Sequence, residues 1–376
     1  MAGIYIHIPF CKQACTYCNF HFSTLINQKA PLLNAIKEEI ILTPSHDNCS
    51  NTIETIYLGG GTPSLLSFNE ISDLLSVIRK KFSVASNAEI TIEANPDDIS
   101  KENLEKWKDI GINRLSLGVQ SFNEAELKWM NRAHNASQSI QSIDDIIDKG
   151  YDNFSIDLIY GSPLLNNEDF IKNVKIIFSK NIPHVSCYAL TVEPKTVLQS
   201  MISKKKSAPV DENRQAEQFI ILMKMMEEYG YEQYEISNFA KPGFRSRHNS
   251  SYWQGKPYYG FGPAAHSYDG KNIRRWNIAN NALYLKSIEQ KIIPFEEEKL
   301  TDTQQLNEYI MIALRTVEGI DIDKMKKVFG EKYADTILMN AQKFLENKKL
   351  IYQQSKLMLT KEGKFFADGI AASLFF

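Results

Sequence analysis

The sequence predicts an α/β protein built on a parallel sheet, with a small helical domain at the C-terminus. Three observations carry that prediction. From the start to about residue 236, short β-rich runs alternate with amphipathic stretches long enough for helices. Glycine and polar residues gather where those runs end. Beyond about residue 301 the pattern changes to helices and one hairpin.

The strand candidates are 4–8, 55–58, 90–93, 114–117, 154–159 and 185–190, with a further one at 231–236. Helical stretches fall between them, for example 32–42, 69–82 and 139–149. Parallel strands joined in this way form either a barrel-like sheet or a doubly wound one. The strand ends carry Gly59, Gly60, Gly61 and Thr62, then Glu93, then Gln120, and Asp157 lies within the fifth strand. In barrel-type sheets that edge carries the chemistry. The C-terminal stretch reads as helices over 303–316, 321–328 and 333–345, a hairpin over 350–359 and a final helix, an order that resembles a winged helix. The expected division is 1–240 for the barrel, 241–300 for a connecting region and 301–376 for the C-terminal domain.

With 376 residues, 43% hydrophobic and 11% aromatic, the chain can bury the core of one large and one smaller domain. Its 43 basic and 45 acidic side chains leave a formal charge of -2, which offers no general attraction for phosphate backbones or anionic membranes. The C-terminal segment is also nearly neutral, with 11 Lys and Arg against 10 Asp and Glu, so no nucleic-acid partner is expected. No apolar run reaches the roughly 18 residues of a membrane span, and the first residues lack the layout of a secretory signal. No integral membrane segment is expected, and the predicted location is cytoplasmic. Lys204, Lys205 and Lys206 read as a solvated loop, and Met223, Met225 and Met226 as helix core beside Phe219 and Leu222.

Five cysteines is an odd count, and three of them, Cys11, Cys15 and Cys18, fall within eight positions. In a reducing compartment such crowding points to metal binding. Cys49 and Cys187 stand apart and read as a loop thiol and a buried strand residue. The triplet spacing lets one loop wrap a compact inorganic core, suiting soft ligands on iron or zinc. A structural zinc site wants four ligands, which His7 or His21 could complete. On a cubane cluster, three thiolates would leave one iron open to a small chelating molecule. In strand 4–8, Ile4, Ile6 and Ile8 share one face and Tyr5 and His7 the other, which places the polar pair toward the triplet.

A CxxxCxxC run directly after the first strand, followed by Gly59-Gly60-Gly61-Thr62-Pro63 after the second, resembles the radical SAM superfamily. Its implied fold is a partial (β/α)6-type barrel. Tyr5 to Cys11, Gly59 to Ser64, Leu117 to Phe122 and Ile156 to Gly161 together resemble the oxygen-independent coproporphyrinogen III dehydrogenase family, through nearly the whole chain. The resemblance implies a [4Fe-4S] cluster on Cys11, Cys15 and Cys18. It implies S-adenosylmethionine held among Tyr5, Gly60, Gly61, Thr62, Glu93, Gln120, Arg132 and Asp157, with Tyr17 as a further cofactor contact. Those residue types suit that ligand, since glycines permit close approach, carboxylates accept from amino or ribose groups, and Arg132 can hold a carboxylate by its forked donors. The implied chemistry is reductive cleavage of S-adenosylmethionine to a 5'-deoxyadenosyl radical, which requires an electron donor.

Two features depart from the dehydrogenase pattern. Phe20 stands where the family has a fourth cysteine, and the chain begins almost at its first strand, without the family's N-terminal extension. Both features resemble the HemW branch of heme chaperones, as does Arg247-His248-Asn249-Ser250-Ser251-Tyr252-Trp253, which matches that branch's HNxxYW signature. This implies heme as a ligand and heme-accepting respiratory proteins as partners, with coproporphyrinogen III dehydrogenase activity absent. His248 could offer an axial imidazole, Tyr252 and Trp253 flat apolar surface, and Arg245 and Arg247 partners for propionates. A porphyrinogen dehydrogenase and a zinc-stapled α/β protein remain the alternatives.

Overall fold

The computed structural model describes residues 2–44 and 52–376. Cys49 lies outside the described residues. The first strand, β1 (Ala2–Ile8), has the alternation read from the sequence: Ile4, Ile6 and Ile8 are fully buried toward the helices, while Tyr5 and His7 turn to the other face. Helix α1 (Lys29–Leu42) covers the apolar face with Leu32, Leu33, Ile36 and Ile40. Then follow β2 (Ile53–Gly60), α2 (Phe68–Lys81), β3 (Val84–Ala94), α3 (Lys101–Asp109) and β4 (Arg114–Gln120). Helix α2 starts at a reciprocal capping box between Ser67 and Glu70. Two helices, α4 (Glu124–Trp129) and α5 (Ala136–Asp148), lead to β5 (Phe154–Tyr160), and α6 (Asn167–Ser179) leads to β6 (His184–Ala189).

β1 to β6 pair in sequence order, each parallel to the next, so the six βα units form one curved layer with helices outside. After α7 (Val197–Ser203) and α8 (Glu212–Glu228) the expected parallel strand at 231–236 is instead a two-residue β7 (Glu232–Gln233). It is paired antiparallel with β8 (Asn238–Ala240), which itself runs antiparallel to β6. The α7–α8 crossover does bring β7 back in the direction of β6, but β8 takes the place beside β6 and leaves β7 at the outer edge.

Residues 241–300, read from the sequence as a connecting region, continue the same sheet. Helix α9 (Arg247–Trp253) leads into β9 (Tyr258–Phe261), which pairs parallel to the free edge of β1. Antiparallel β10 (His266–Tyr268) and β11 (Ile273–Asn277) follow, then α10 (Asn281–Glu289) and β12 (Phe295–Lys299), giving twelve strands in the order β12-β11-β10-β9-β1-β2-β3-β4-β5-β6-β8-β7. β1 and β6 each pair with a later strand instead of with one another, so the barrel is partial.

The C-terminal domain has its own apolar core around Leu306, Ile310, Ile337 and Leu357. Its order is α11 (Asp302–Leu314), β13 (Ile320–Asp321), α12 (Ile322–Phe329), α13 (Glu331–Glu346), β14 (Leu350–Gln353), β15 (Lys356–Leu359) and α14 (Ala367–Ser373). The sheet order β13-β15-β14 makes it winged-helix-like. Val317 N–H donates to the Tyr234 carbonyl at 3.0 Å and Phe219 meets Phe365 at 5.0 Å between ring centres, seating this domain on the β7 side of the barrel. Among the described residues no helix is long and apolar enough to cross a membrane.

Candidate functional site at the barrel mouth

The parallel strands all end on one side, and the segment after β1 carries the three thiols there. Main-chain hydrogen bonds lock this corner: Gly61 N–H donates to the Ile8 carbonyl at 2.8 Å and Thr62 N–H to the Phe10 carbonyl at 2.7 Å. The glycine triplet is there because the chain ends of β1 and β2 touch. A Cβ on Gly61 would lie 2.6 Å from the Phe10 carbonyl oxygen, and one on Gly60 would lie 2.5 Å from the His7 ring, at a φ of 108°. Gly61→Ala is expected to cost about 1–3 kcal/mol by overpacking against main chain, read as a lower urea midpoint, and to reduce cluster incorporation.

Cys11, Cys15 and Cys18 are half-buried free thiols on this loop. The Thr62 hydroxyl contacts the Cys11 thiol, and the Tyr17 hydroxyl contacts Cys15. Arg132 reaches in from the segment after α4. It donates to the Cys15 sulfur at 3.2 Å, to Asn95 Oδ1 at 2.5 Å and to the Gly118 carbonyl at 2.9 Å, while its Nε is buried without a partner. Among the described residues no three His, Cys, Asp or Glu side chains converge as a single-ion site requires. The two histidines considered as a fourth zinc ligand, His7 and His21, are both engaged in hydrogen bonds. His7 Nε2 donates to the His21 carbonyl at 2.8 Å, its Nδ1 lies 3.1 Å from the Tyr5 hydroxyl, and His21 Nε2 is bonded to Asn281.

Below the thiols the barrel lining is polar. Glu93 is buried and accepts from the Tyr57 hydroxyl at 2.8 Å and from Gly60 N–H at 3.0 Å. Burial pushes its pKa up to about 7, against the pull of Tyr57 and Gly60. Burial likewise pushes Asp157 up to about 6, with Ser186, Arg132 and Arg114 holding it down. Two carboxyls poised near neutrality and a guanidinium with an unsatisfied Nε can together receive a zwitterionic molecule bearing hydroxyls. Gln120 has a φ of 66°, unusual for a residue with a side chain, and its amide stands over Gly118 beside Arg132.

The structure therefore brings Tyr5, Tyr17, Gly60, Gly61, Thr62, Glu93, Gln120, Arg132 and Asp157 to the mouth or lining beneath the three cysteines. Sequence reasoning missed Asn95, which fixes Arg132 and also donates to Thr62 at 3.3 Å, and Tyr57, which holds Glu93. Asn95 follows Glu93 by two residues at the same strand end, a signal open to reading.

His248 does not join that group. Helix α9 closes the opposite end of the barrel, with Glu89 accepting the N–H groups of Arg247 at 3.2 Å and His248 at 3.0 Å. The His248 ring is 2% exposed, and both of its nitrogens are hydrogen-bonded, to Thr55 and to Tyr252 at 2.8 Å each. Burial lowers its pKa to about 3. The axial-ligand role expected for it is not available in this arrangement. Arg245 is likewise committed, to Glu232 and Glu318, and Arg247 to the Asn87 carbonyl at 2.7 Å.

A partial parallel barrel carrying three thiols and a glycine-rich turn at its mouth defines a radical SAM protein, and residues 5–177 match the Radical SAM superfamily while residues 300–366 match the HemN C-terminal domain. The chain is 35% identical to the heme chaperone HemW of Bacillus subtilis, with 98% of each chain covered. It is 33% identical to the heme chaperone HemW of Lactococcus lactis, covering 96% of this chain and 93% of that one. The chain belongs to the HemW heme chaperone family. Its fold matches coproporphyrinogen III oxidase (HemN) from Escherichia coli at a TM-score of 0.85 and 21% identity, covering 100% of this chain and 90% of that one, a likeness of fold.

Proposed function

We propose that this chain is a cytoplasmic heme chaperone that holds a [4Fe-4S] cluster on Cys11, Cys15 and Cys18, binds S-adenosylmethionine beneath it, and delivers heme to respiratory proteins. The observation that carries the cofactor part is Arg132. It bridges the Cys15 sulfur and the strand-end polar groups, so thiols and lining form one site. The donor set fits: three soft thiols on one loop, with Phe20, 67% exposed, standing apart as a residue that cannot ligate. When bound, the cluster and S-adenosylmethionine supply one-electron chemistry.

The chain's own part is to hold and shield. Arg132 suits the carboxylate of S-adenosylmethionine, and Glu93 and Asp157 suit its amino and ribose groups. Tyr17 packs beside Met130, Leu190 and Leu198 and offers a flat apolar contact near the cysteines. The heme part rests on family membership. The fold likeness to HemN favours a second reading, radical decarboxylation of coproporphyrinogen III.

One anaerobic assay separates the two. Cluster-reconstituted protein is incubated with reductant, S-adenosylmethionine and coproporphyrinogen III, and hemin is titrated in parallel. Hemin uptake with no protoporphyrinogen formed, while a known dehydrogenase is active alongside, supports the chaperone. Protoporphyrinogen formation would overturn it. Arg132→Ala is expected to weaken S-adenosylmethionine binding about tenfold or more, by removing a charge-assisted pair, as read by calorimetry.

A further inference from the structure

A protein that carries heme needs a group to hold the iron, and an imidazole can do so only through a nitrogen that is free and reachable. Among the described residues four histidines fail that requirement. His7 and His248 use both ring nitrogens in hydrogen bonds. His134 and His184 are buried, each with Nε2 bonded, to the Val119 carbonyl and to Tyr234. A fifth, His21, is half-buried and has its Nε2 bonded to Asn281. The sixth, His266, is exposed, and neither ring nitrogen has a hydrogen-bond partner.

His266 stands where a flat ligand could reach it. It opens β10, opposite Trp276 of β11, and the two rings lie at 29° with centres 6.1 Å apart. Strand β10 continues the concave side of the sheet, because Tyr5 pairs with Gly260 and Tyr268 pairs with Tyr258. A Cβ on Gly260 would overlap the His266 main chain, so this glycine lets β10 close onto β9 beside Tyr5. Tyr258 and Tyr268 extend the aromatic surface down the strands, with centres 6.5 Å apart, and Arg274, ion-paired with Glu308 at 2.8 Å, lies on the same face. His266 is also close enough to His7 to act on it electrostatically, so this shelf continues the wall of the cluster site.

We propose that His266 is the axial ligand through which this chain holds the iron of its heme cargo, with the macrocycle lying against the Trp276 edge of the sheet. The proposal rests on the heme-carrying reading. On binding ferric heme, an imidazole nitrogen of His266 forms a bond to iron and a water ligand leaves, with no change of oxidation state. The HNSSYW segment then has a structural role, closing the bottom of the barrel without touching the cargo.

The test is a hemin titration of the full chain, wild type against His266→Ala, followed by the Soret band and by electron paramagnetic resonance. The variant alters an exposed side chain, so its circular dichroism and reconstituted iron content are expected to match wild type. The expected result is histidine-type ligation in wild type. In His266→Ala that signature is lost, affinity weakens about tenfold or more, and added imidazole restores the spectrum. If wild type takes up hemin and His266→Ala gives the same spectrum and affinity, the His266 assignment is overturned and the chaperone reading stands. If wild type takes up no hemin, the chaperone reading fails first and this one with it.

Discussion

Cys15→Ala is expected to remove the cluster: iron and labile sulfide after anaerobic reconstitution should fall from about four per chain to well below one. A cubane held by only three protein ligands has none in reserve, so losing one thiolate leaves two irons without protein ligation. Cys15 is also the thiol that receives Arg132, whose Nη1 lies 3.2 Å from its sulfur, so the change releases a buried guanidinium as well. The fold should survive, because Cys15 is half-buried on a loop and the corner is held by main-chain hydrogen bonds at Gly61 and Thr62. Cys187→Ala is the matched control. That thiol is buried in β6, and its loss should lower stability by about 1 kcal/mol while leaving iron content unchanged. Iron retained at the wild-type level in Cys15→Ala would remove that residue from the ligand set. Zinc without labile sulfide in the wild type would overturn the cluster altogether.

The contrast between these two cysteines is legible in the sequence, and so is most of the barrel. Both are set by local patterns: an alternating Ile4, Ile6 and Ile8 face fixes which side of β1 carries Tyr5 and His7, and a glycine triplet marks where β1 and β2 come within main-chain contact. What is not legible depends on distant partners. His248 reads as a candidate axial imidazole because its neighbours in sequence are polar and aromatic. Its real neighbours are Gly3, Thr55 and Glu89, more than 150 residues earlier, which turn it inward. His266 carries no signal of its own, because nothing in its flanking sequence shows that β9 crosses to the far edge of β1, taking β10 and the histidine with it. The shortness of β7 is hidden for a similar reason: Tyr231, Tyr234 and Ile236 among polar residues are consistent with a strand, and only the insertion of β8 beside β6 leaves it two paired residues.

Glu39 shows the same limit, and Glu39→Ala is expected to be the most destabilising single change outside the apolar core. Nothing in its flanking sequence marks it, yet it is 2% exposed. It accepts from Gly262 N–H at 2.8 Å, Asn277 Nδ2 at 2.6 Å and the Tyr284 hydroxyl at 2.5 Å, tying α1 to the turn after β9, to β11 and to α10. Truncation takes the acceptor from Gly262 N–H and the Tyr284 hydroxyl and leaves Asn277 Nδ2 only the Gly262 carbonyl, and at about 1–3 kcal/mol for each unsatisfied group the loss should reach about 3 kcal/mol in urea unfolding. The loosened elements are those that carry His266, so hydrogen exchange should rise first over 258–290. Burial pushes the Glu39 pKa up to about 7, from an ordinary value near 4.5. A carboxyl raised on folding means that the native state binds the extra proton. Its contribution is fully present below about pH 4.5 and is lost as pH rises through about 7, by on the order of 3 kcal/mol in all. Glu39→Gln has no proton to lose, so the stability of wild type relative to this variant should fall across that window. Parallel stability curves for the two proteins from pH 4.5 to 8 would mean that Glu39 titrates normally in the fold, and that its three donors are holding an ionised carboxylate.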